Sequence, residues 1–172
     1  MSADMPESID AWRAVTARRI YKGEVALGRF ARLRDSLTDA DGTCRFRLEF
    51  GRDTFGTAMV ALAAEAGLPL QCQRSLQRFV LPVRCEQQLG LIRHEREESA
   101  LPPDTEPVLV PEDGMLNPFD LIEDELILAL PVVPLSPQEA GAAEQADPTV
   151  SAAGAPRDNP FAALAALKQK SS

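Results

Sequence analysis

The sequence predicts an α+β fold in which antiparallel strands, arranged as a sheet or a partly closed barrel, are covered by an amphipathic helix. Apolar and polar residues alternate over Cys44–Phe50 and over Phe79–Cys85, a period of two that is typical of half-buried strands. Apolar residues recur at helical spacing over Phe119–Leu130. Because 172 residues suffice to bury one core, we expect a single α+β domain over residues 1–135.

The strands are expected to follow a polar segment, residues 1–11, that we predict to be mobile. They are predicted at 18–25, 43–50, 57–72, 76–92 and 106–110. Apolar spacing between residues 25 and 37 indicates a helix or turn, and the alanine-rich residues 59–66 suit a helix as well as a strand. The third and fourth strands should form a hairpin centred on Gln71–Ser75. Pro82 cannot donate a ladder hydrogen bond, so its strand should lie at a sheet edge or bend there.

The helix at 118–130 has complete start and stop signals. Asn117 is a good N-cap, Pro118 suits the first helical position, and Pro131 ends the run. Acidic side chains crowd its N-terminal half, where the helix dipole favours negative charge. They are Asp120, Glu123, Asp124 and Glu125. We interpret them either as a solvated helix face or as a surface that binds a partner.

The C-terminal part of the chain changes character after the helix. Residues 136–158 contain almost no large apolar side chain and are predicted to be a disordered linker. Asn159-Pro160-Phe161 then repeats the cap of the first helix, so we predict a short helix and tail over 159–172. Such a helix is marginal alone in water and should dock on its own domain or on a partner. Its partner-binding candidates are Asn159, Phe161, Leu164 and Leu167.

Charge is distributed unevenly. Residues 1–100 hold 15 Lys plus Arg against 14 Asp plus Glu, a balance of +1, whereas residues 101–172 hold 3 against 12, a balance of −9. The acidic part therefore favours a basic protein as its partner. Arg74 and Arg78 beside the hairpin turn are candidates for RNA contact, since guanidinium groups bind phosphate, or they simply keep a turn soluble. The arginine-rich run Arg13–Arg34 carries the same two interpretations.

The residue types needed for catalysis are poorly represented. There is no phosphate-binding glycine loop, no nucleophile elbow, and a single histidine, His94, within a charged run. Cys72 has Ser75 rather than a second cysteine three positions later, so we predict no structural zinc. The sequence thus predicts no catalytic residues, no cofactor, no metal site and no small-molecule substrate. The N-terminus lacks signal-peptide character and no apolar run would span a bilayer, which predicts a cytoplasmic protein without membrane contact.

Three stretches carry a resemblance to a known family. They are D-L-I-E-D-E-L-I-L-A-L-P-V-V-P at 120–134, N-P-F-A-A-L-A-A-L-K at 159–168 and L-Q-C-Q-R at 70–74. The chain resembles the bacterial YceD family of large ribosomal RNA subunit accumulation proteins over about Val15–Lys168. Some relatives carry C-Q-R-C at the turn, from which this chain departs, and the family's order of segments favours a strand at 59–66.

The resemblance implies a non-enzymatic, cytoplasmic factor needed for 23S rRNA to accumulate. Such a factor could bind a large-subunit precursor or a ribosome-associated protein, with a weak contact to rRNA. The alternative is a regulator that binds and restrains an RNA-processing enzyme, which would produce the same accumulation defect by another route. The residues do not choose between the two.

Overall fold

A computed structural model describes residues 5–139 of the chain. Its regular elements, in chain order, are β1 Ile9–Asp10, α1 Ala11–Thr16, β2 Ile20–Ala26, α2 Ala31–Arg34, β3 Thr43–Arg52, β4 Ala58–Gln71, β5 Arg78–Ile92, β6 Glu106–Leu109, β7 Met115–Leu116 and α3 Pro118–Leu128. Short 3₁₀ turns lie at Leu27–Arg29 and Glu95–Ala100. The five predicted strands are confirmed, including the strand over the ambiguous alanine-rich residues. Within this part of the chain no helix is long and apolar enough to cross a bilayer.

The main sheet has five strands in the order β2-β3-β4-β5-β6. β2 to β5 form an antiparallel meander, whereas β6 pairs parallel to β5, so the expectation of a purely antiparallel sheet was wrong. A parallel neighbour requires a crossover of about a dozen residues, and residues 93–105 supply it. The sheet is open, with β2 and β6 as its two edges, and the barrel alternative is therefore excluded for the described residues.

The register of the meander separates an apolar face from a polar one. Phe46 lies opposite Ala64, which lies opposite Cys85, and directly opposed residues project to the same side of a sheet. This side forms the core, with Leu48 and Val60 fully buried in it. The other side carries the charged residues that alternate with them.

Residues 5–11 belong to the core, which corrects for them the expectation that the N-terminal segment is mobile. Met5 and Ile9 are buried, and Ile9 pairs with Leu116 in a small second sheet formed by β1 and β7. Asp10 then caps α1 by accepting a hydrogen bond from the backbone N–H of Arg13 at 2.9 Å. The polar composition of this segment concealed its two buried apolar anchors.

Helix α3 begins where the sequence predicts and ends at Leu128, two residues earlier than expected. The side chain of Asn117 caps it, accepting the N–H of Phe119 at 3.0 Å. Leu121, Ile122 and Leu126 are buried in the core. The ring of Phe119 lies 6.4 Å from that of Phe46 on β3. One apolar stripe of α3 is therefore part of the hydrophobic core.

The β4–β5 hairpin extends beyond β3. The β3 pairing with β4 stops at Cys44 opposite Ala66, while β4 and β5 remain paired to Gln71 opposite Arg78. Since β6 pairs only with residues 89–92 of β5, Pro82 lies where β5 is an edge, which confirms that prediction.

The tip of this hairpin is contacted by the chain that follows α3. The backbone N–H of Gln73 donates to Pro134 O at 2.9 Å, and Ser136 is buried against the turn. Contacts with the domain thus continue to Glu139, past the expected boundary at residue 135. The remainder of the predicted linker and the whole predicted terminal helix lie outside the described residues.

Candidate functional site

Glu123, predicted as a partner contact on the acidic helix, is 5% exposed and caps α2. Its carboxylate accepts the backbone N–H groups of Arg32 at 2.6 Å and Leu33 at 3.0 Å, and the Arg32 Nε at 3.1 Å. The first N–H groups of a helix have no partner within it, and an anion there is favoured by the dipole. We therefore assign the Glu123 carboxylate to the junction between α2 and α3.

Glu125 is also inside the fold, at 7% exposure. Burial raises its pKa, and the nearby carboxylates of Glu106 and Asp124 raise it further. The Cys85 thiol on β5 donates to the backbone carbonyl of Glu125 at 3.6 Å. Like Glu123, this side chain is not displayed to a partner in the structure.

The other two acidic residues of α3 remain at the surface. Asp124 pairs with Arg32 at 2.6 Å, and both side chains are about half exposed, at 51% and 53%. Asp120 is exposed and accepts a hydrogen bond from the Asn117 amide at 2.8 Å. The expectation of a partner-binding acidic face therefore rests on Asp120 and Asp124 alone.

Part of the arginine-rich run packs against α3. The Arg29 guanidinium lies 4.1 Å from the centre of the Phe119 ring and also pairs with Glu7 at 2.8 Å. Arg29 is thus neutralised within the first part of the chain, whereas Arg32 pairs with Glu123 and Asp124 of α3.

The arginines beside the β4–β5 turn, predicted as candidates for RNA contact, both have acidic partners. Arg78 pairs with Asp39 at 2.6 Å, and Arg74 pairs with Glu139 at 3.2 Å. The Arg78 guanidinium lowers the pKa of Asp39. A phosphate would have to displace a carboxylate at each of these sites.

Cys72 is buried at the same turn and its sulfur accepts several hydrogen bonds. The hydroxyl of Ser75 is the largest contributor, followed by the backbone N–H of Ser75 and that of Ser136, which lies 3.4 Å from the sulfur. Together they lower the pKa of Cys72 to about 6. Cys44 is buried among apolar groups, and burial raises its pKa to about 12. In residues 5–139 no group of three or more potential metal-ligating side chains converges.

A depression of about 680 Å³ lies on the polar face of the main sheet. Ala63 contributes to its floor, and a row of ion pairs spans β2 to β5 around it. The pairs are Arg45 with Glu24 at 3.0 Å, Arg45 with Glu65 at 3.9 Å, Arg84 with Glu65 at 3.2 Å, Arg84 with Glu86 at 2.6 Å, and Arg47 with Glu49. These arginines and glutamates neutralise one another, so the depression has little net charge to attract an ionic ligand.

Comparison with known proteins matches the chain to a protein family. A family model described as large ribosomal RNA subunit accumulation protein YceD matches residues 60–168. A curated protein of that name from Haemophilus influenzae is 30% identical over 169 residues, which are 96% of this chain and 97% of the relative. The chain belongs to the YceD family. The resemblance inferred from the acidic-helix and terminal stretches is thereby confirmed, and no solved structure matches the chain.

Membership of the YceD family links the chain to accumulation of the large ribosomal RNA subunit. The matched span includes the terminal residues Asn159, Phe161, Leu164 and Leu167, which lie outside the described part of the structure. Their predicted role in partner binding stays a prediction. The family is named for an accumulation factor and not for an enzyme.

One surface feature was missed from the sequence. Phe55, at the tip of the β3–β4 hairpin, is 88% exposed. Its signal was a large aromatic residue within the turn sequence D-T-F-G, where small and polar residues are usual. An exposed aromatic ring on an ordered hairpin marks a surface that differs from the neutralised face of the sheet.

Proposed function

We propose that this chain is a non-enzymatic factor that supports accumulation of large-subunit rRNA by binding a large-subunit precursor or a ribosome-associated protein. Family membership supports the link to accumulation of large-subunit rRNA. The observation that supports binding rather than catalysis is the use of the buried acidic groups: Glu123 binds backbone N–H groups of α2, and Glu125 is enclosed beside Cys85. Neither residue lines the depression on the polar face of the sheet.

The proposed protein contact combines two parts. On the domain, Asp120 and Asp124 offer exposed negative charge near the start and middle of α3. Beyond the described residues, the sequence predicts a helix whose apolar residues Phe161, Leu164 and Leu167 could bind in an apolar groove of the partner. A tether between the two would raise the effective concentration of the second contact once the first has formed.

The full-length tagged chain, expressed in a strain that lacks the gene, provides the test. We expect deletion of the gene to lower the 23S to 16S rRNA ratio and the tagged chain to restore it and to sediment with large-subunit precursors. The double variant Asp120→Lys, Asp124→Lys should weaken this association. The matched control is Glu95→Lys, Glu98→Lys, which makes the same charge change at exposed positions of a 3₁₀ turn.

Three outcomes would contradict the proposal. An unchanged 23S to 16S rRNA ratio after deletion would show that the chain has no role in rRNA accumulation. If the tagged chain recovers a single nuclease in place of large-subunit precursors, the alternative function, a regulator of an RNA-processing enzyme, is favoured. Equal losses in the test and control pairs would show that overall charge and not α3 governs association. Thermal unfolding of each variant must be compared first, because Asp124 also pairs with Arg32.

Truncation after Asp158 should leave the melting temperature within a degree or two while lowering rRNA accumulation.

A further inference from the structure

The loop that carries Phe55 is held in one shape by its own hydrogen bonds. Asp53 Oδ1 accepts the N–H groups of Phe55 at 2.9 Å and Thr57 at 2.8 Å, and Asp53 N–H donates to Thr57 O at 3.0 Å. Gly56 adopts φ +86°, a conformation that favours glycine. The ring is therefore projected into solvent by a closed turn.

Three arginines lie at this same end of the main sheet. Arg52 is the last residue of β3, and its Nη1 donates to Gly56 O at 2.6 Å, which places the guanidinium beside the loop. Arg19 and Arg18 immediately precede β2, and the carbonyl of Arg19 accepts the N–H of Phe50 at 2.9 Å. At about 3.3 Å per residue along a strand, Arg52 follows Phe50 by roughly 7 Å. The backbone positions of Arg18, Arg19, Arg52 and Phe55 thus lie within a few residues' length of one another.

These three arginines have no carboxylate partner among the described residues. Arg18 and Arg19 are exposed, as is Arg52. By contrast, Arg45, Arg47 and Arg84 in the sheet depression, Arg32 at the α2–α3 junction, and Arg74 and Arg78 at the β4–β5 turn pair with carboxylates. Arg13, Arg34, Arg93 and Arg96 are exposed and form no ion pair within residues 5–139. Three guanidinium groups without a carboxylate partner therefore lie close to Phe55 along the backbone, although the chain as a whole has net charge −8.

The combination of free guanidinium groups and an exposed aromatic ring matches unpaired RNA. Guanidinium groups bind phosphate oxygens, and an unstacked base can lie on an aromatic face. Paired RNA would supply phosphates but would keep its bases stacked within the helix and away from Phe55. An acidic protein segment would supply the charge without a flat aromatic partner for the ring.

We propose that Arg18, Arg19, Arg52 and Phe55 form a contact site for single-stranded RNA, in which phosphates bind the arginines and one base stacks on Phe55. This inference rests on the proposed function, since it names rRNA as a direct contact of a factor that acts on an rRNA-containing particle. It places that contact away from Arg74 and Arg78, whose carboxylate partners compete with phosphate.

The test measures binding of the full-length protein to a fluorescein-labelled, unstructured 12-nucleotide RNA by fluorescence anisotropy at several salt concentrations. Phe55→Ala should weaken binding about five- to a hundredfold, the range expected for loss of one stacked base. The triple variant Arg18→Gln, Arg19→Gln, Arg52→Gln should lower the slope of log affinity against log salt by about 2, since each phosphate contact on a single strand contributes roughly 0.7.

The matched control removes three neutralised arginines instead, as Arg45→Gln, Arg47→Gln, Arg84→Gln. It makes the same change in net charge and should leave the salt slope almost unchanged. Phe55→Leu keeps an apolar side chain without an aromatic face and should bind RNA as poorly as Phe55→Ala. Because Phe55 is almost fully exposed, its variants should melt within about a degree of the parent, and equal melting confirms that the fold is intact.

Three results would overturn the proposal: an equal effect of the two arginine triples, retention of affinity in Phe55→Ala, or equally tight binding of a duplex of the same length. The proposal would also be overturned if variants of this site no longer sediment with large-subunit precursors but keep their affinity for RNA, because the site would then bind a protein. These results are distinct from failure of the proposed function. That failure would appear as normal 23S rRNA levels in the deletion strain, whatever the isolated protein binds.

Discussion

Replacing Glu123 should test the junction between α2 and α3 most directly. Its carboxylate accepts two backbone N–H groups and the Arg32 side chain while only 5% exposed. Removing one partner of a buried, hydrogen-bonded ion pair costs about 3–5 kcal/mol. Because Arg32 is about half exposed and can be solvated after the change, we expect Glu123→Ala to lower the free energy of unfolding by about 3 kcal/mol, the low end of that range.

Urea denaturation followed by circular dichroism provides the measurement. With a denaturant slope of about 2 kcal/mol per molar, the midpoint for Glu123→Ala should fall by about 1.5 M. Glu123→Gln keeps an oxygen acceptor and should lose about half as much. Asp124→Asn is the control, since the half-exposed Asp124–Arg32 pair contributes less than about 1 kcal/mol. A shift below about 0.5 M for Glu123→Ala, or an equal shift for Asp124→Asn, would refute the assigned capping role.

Three further predictions follow from individual side chains. Burial raises the pKa of Glu125, so its neutral form is favoured in the folded state and stability is lost as pH rises through that pKa. Glu125→Gln should therefore stabilise the protein relative to the parent at pH 8 but not at pH 4. A gain in melting temperature that is independent of pH would contradict this. Thiolate absorbance near 240 nm should titrate with a midpoint of about 6, disappear in Cys72→Ala and persist in Cys44→Ala, and a midpoint near 9 would exclude the hydrogen-bonded thiolate. Gly90→Ala should destabilise the fold by about 1 kcal/mol, because a Cβ there would lie 2.6 Å from a methyl group of Leu101. In the double variant with Leu101→Ala, the free energy of unfolding should be higher than the sum of the two single losses predicts. Additive losses would argue against this contact.

The strands and α3 could be predicted because their signals are local. Alternation along Cys44–Phe50 and the Asn117-Pro118 cap are readable from a few neighbouring residues, and both elements begin within one or two residues of the predicted position. The direction of β6 could not be predicted in this way. Its sequence is compatible with either direction, and the path of residues 93–105 past Gly90 decides it.

The same distinction explains the outcome for the candidate site. An acidic residue on a helix is equally compatible with solvent, a partner or another helix, and only tertiary structure shows that Glu123 binds the N-terminus of α2. From the sequence, Arg78 is compatible with RNA contact or with a soluble turn, because its partner, Asp39, is 39 residues away in the chain. Phe55 had a readable signal in its turn, but its significance depends on Arg18 and Arg19, which are distant in sequence.

The long β4–β5 hairpin separates two different surface features, one at each of its ends. β4 begins beside the loop of Phe55 and ends at the turn that binds Glu139, the last described residue. Fourteen residues at about 3.3 Å each separate these ends by roughly 45 Å. Glu139 therefore lies at the opposite end of the hairpin from Phe55. A large-subunit precursor that contacts both ends of the hairpin would need two binding surfaces separated by about this length. This spacing requirement is independent of the affinity of either contact.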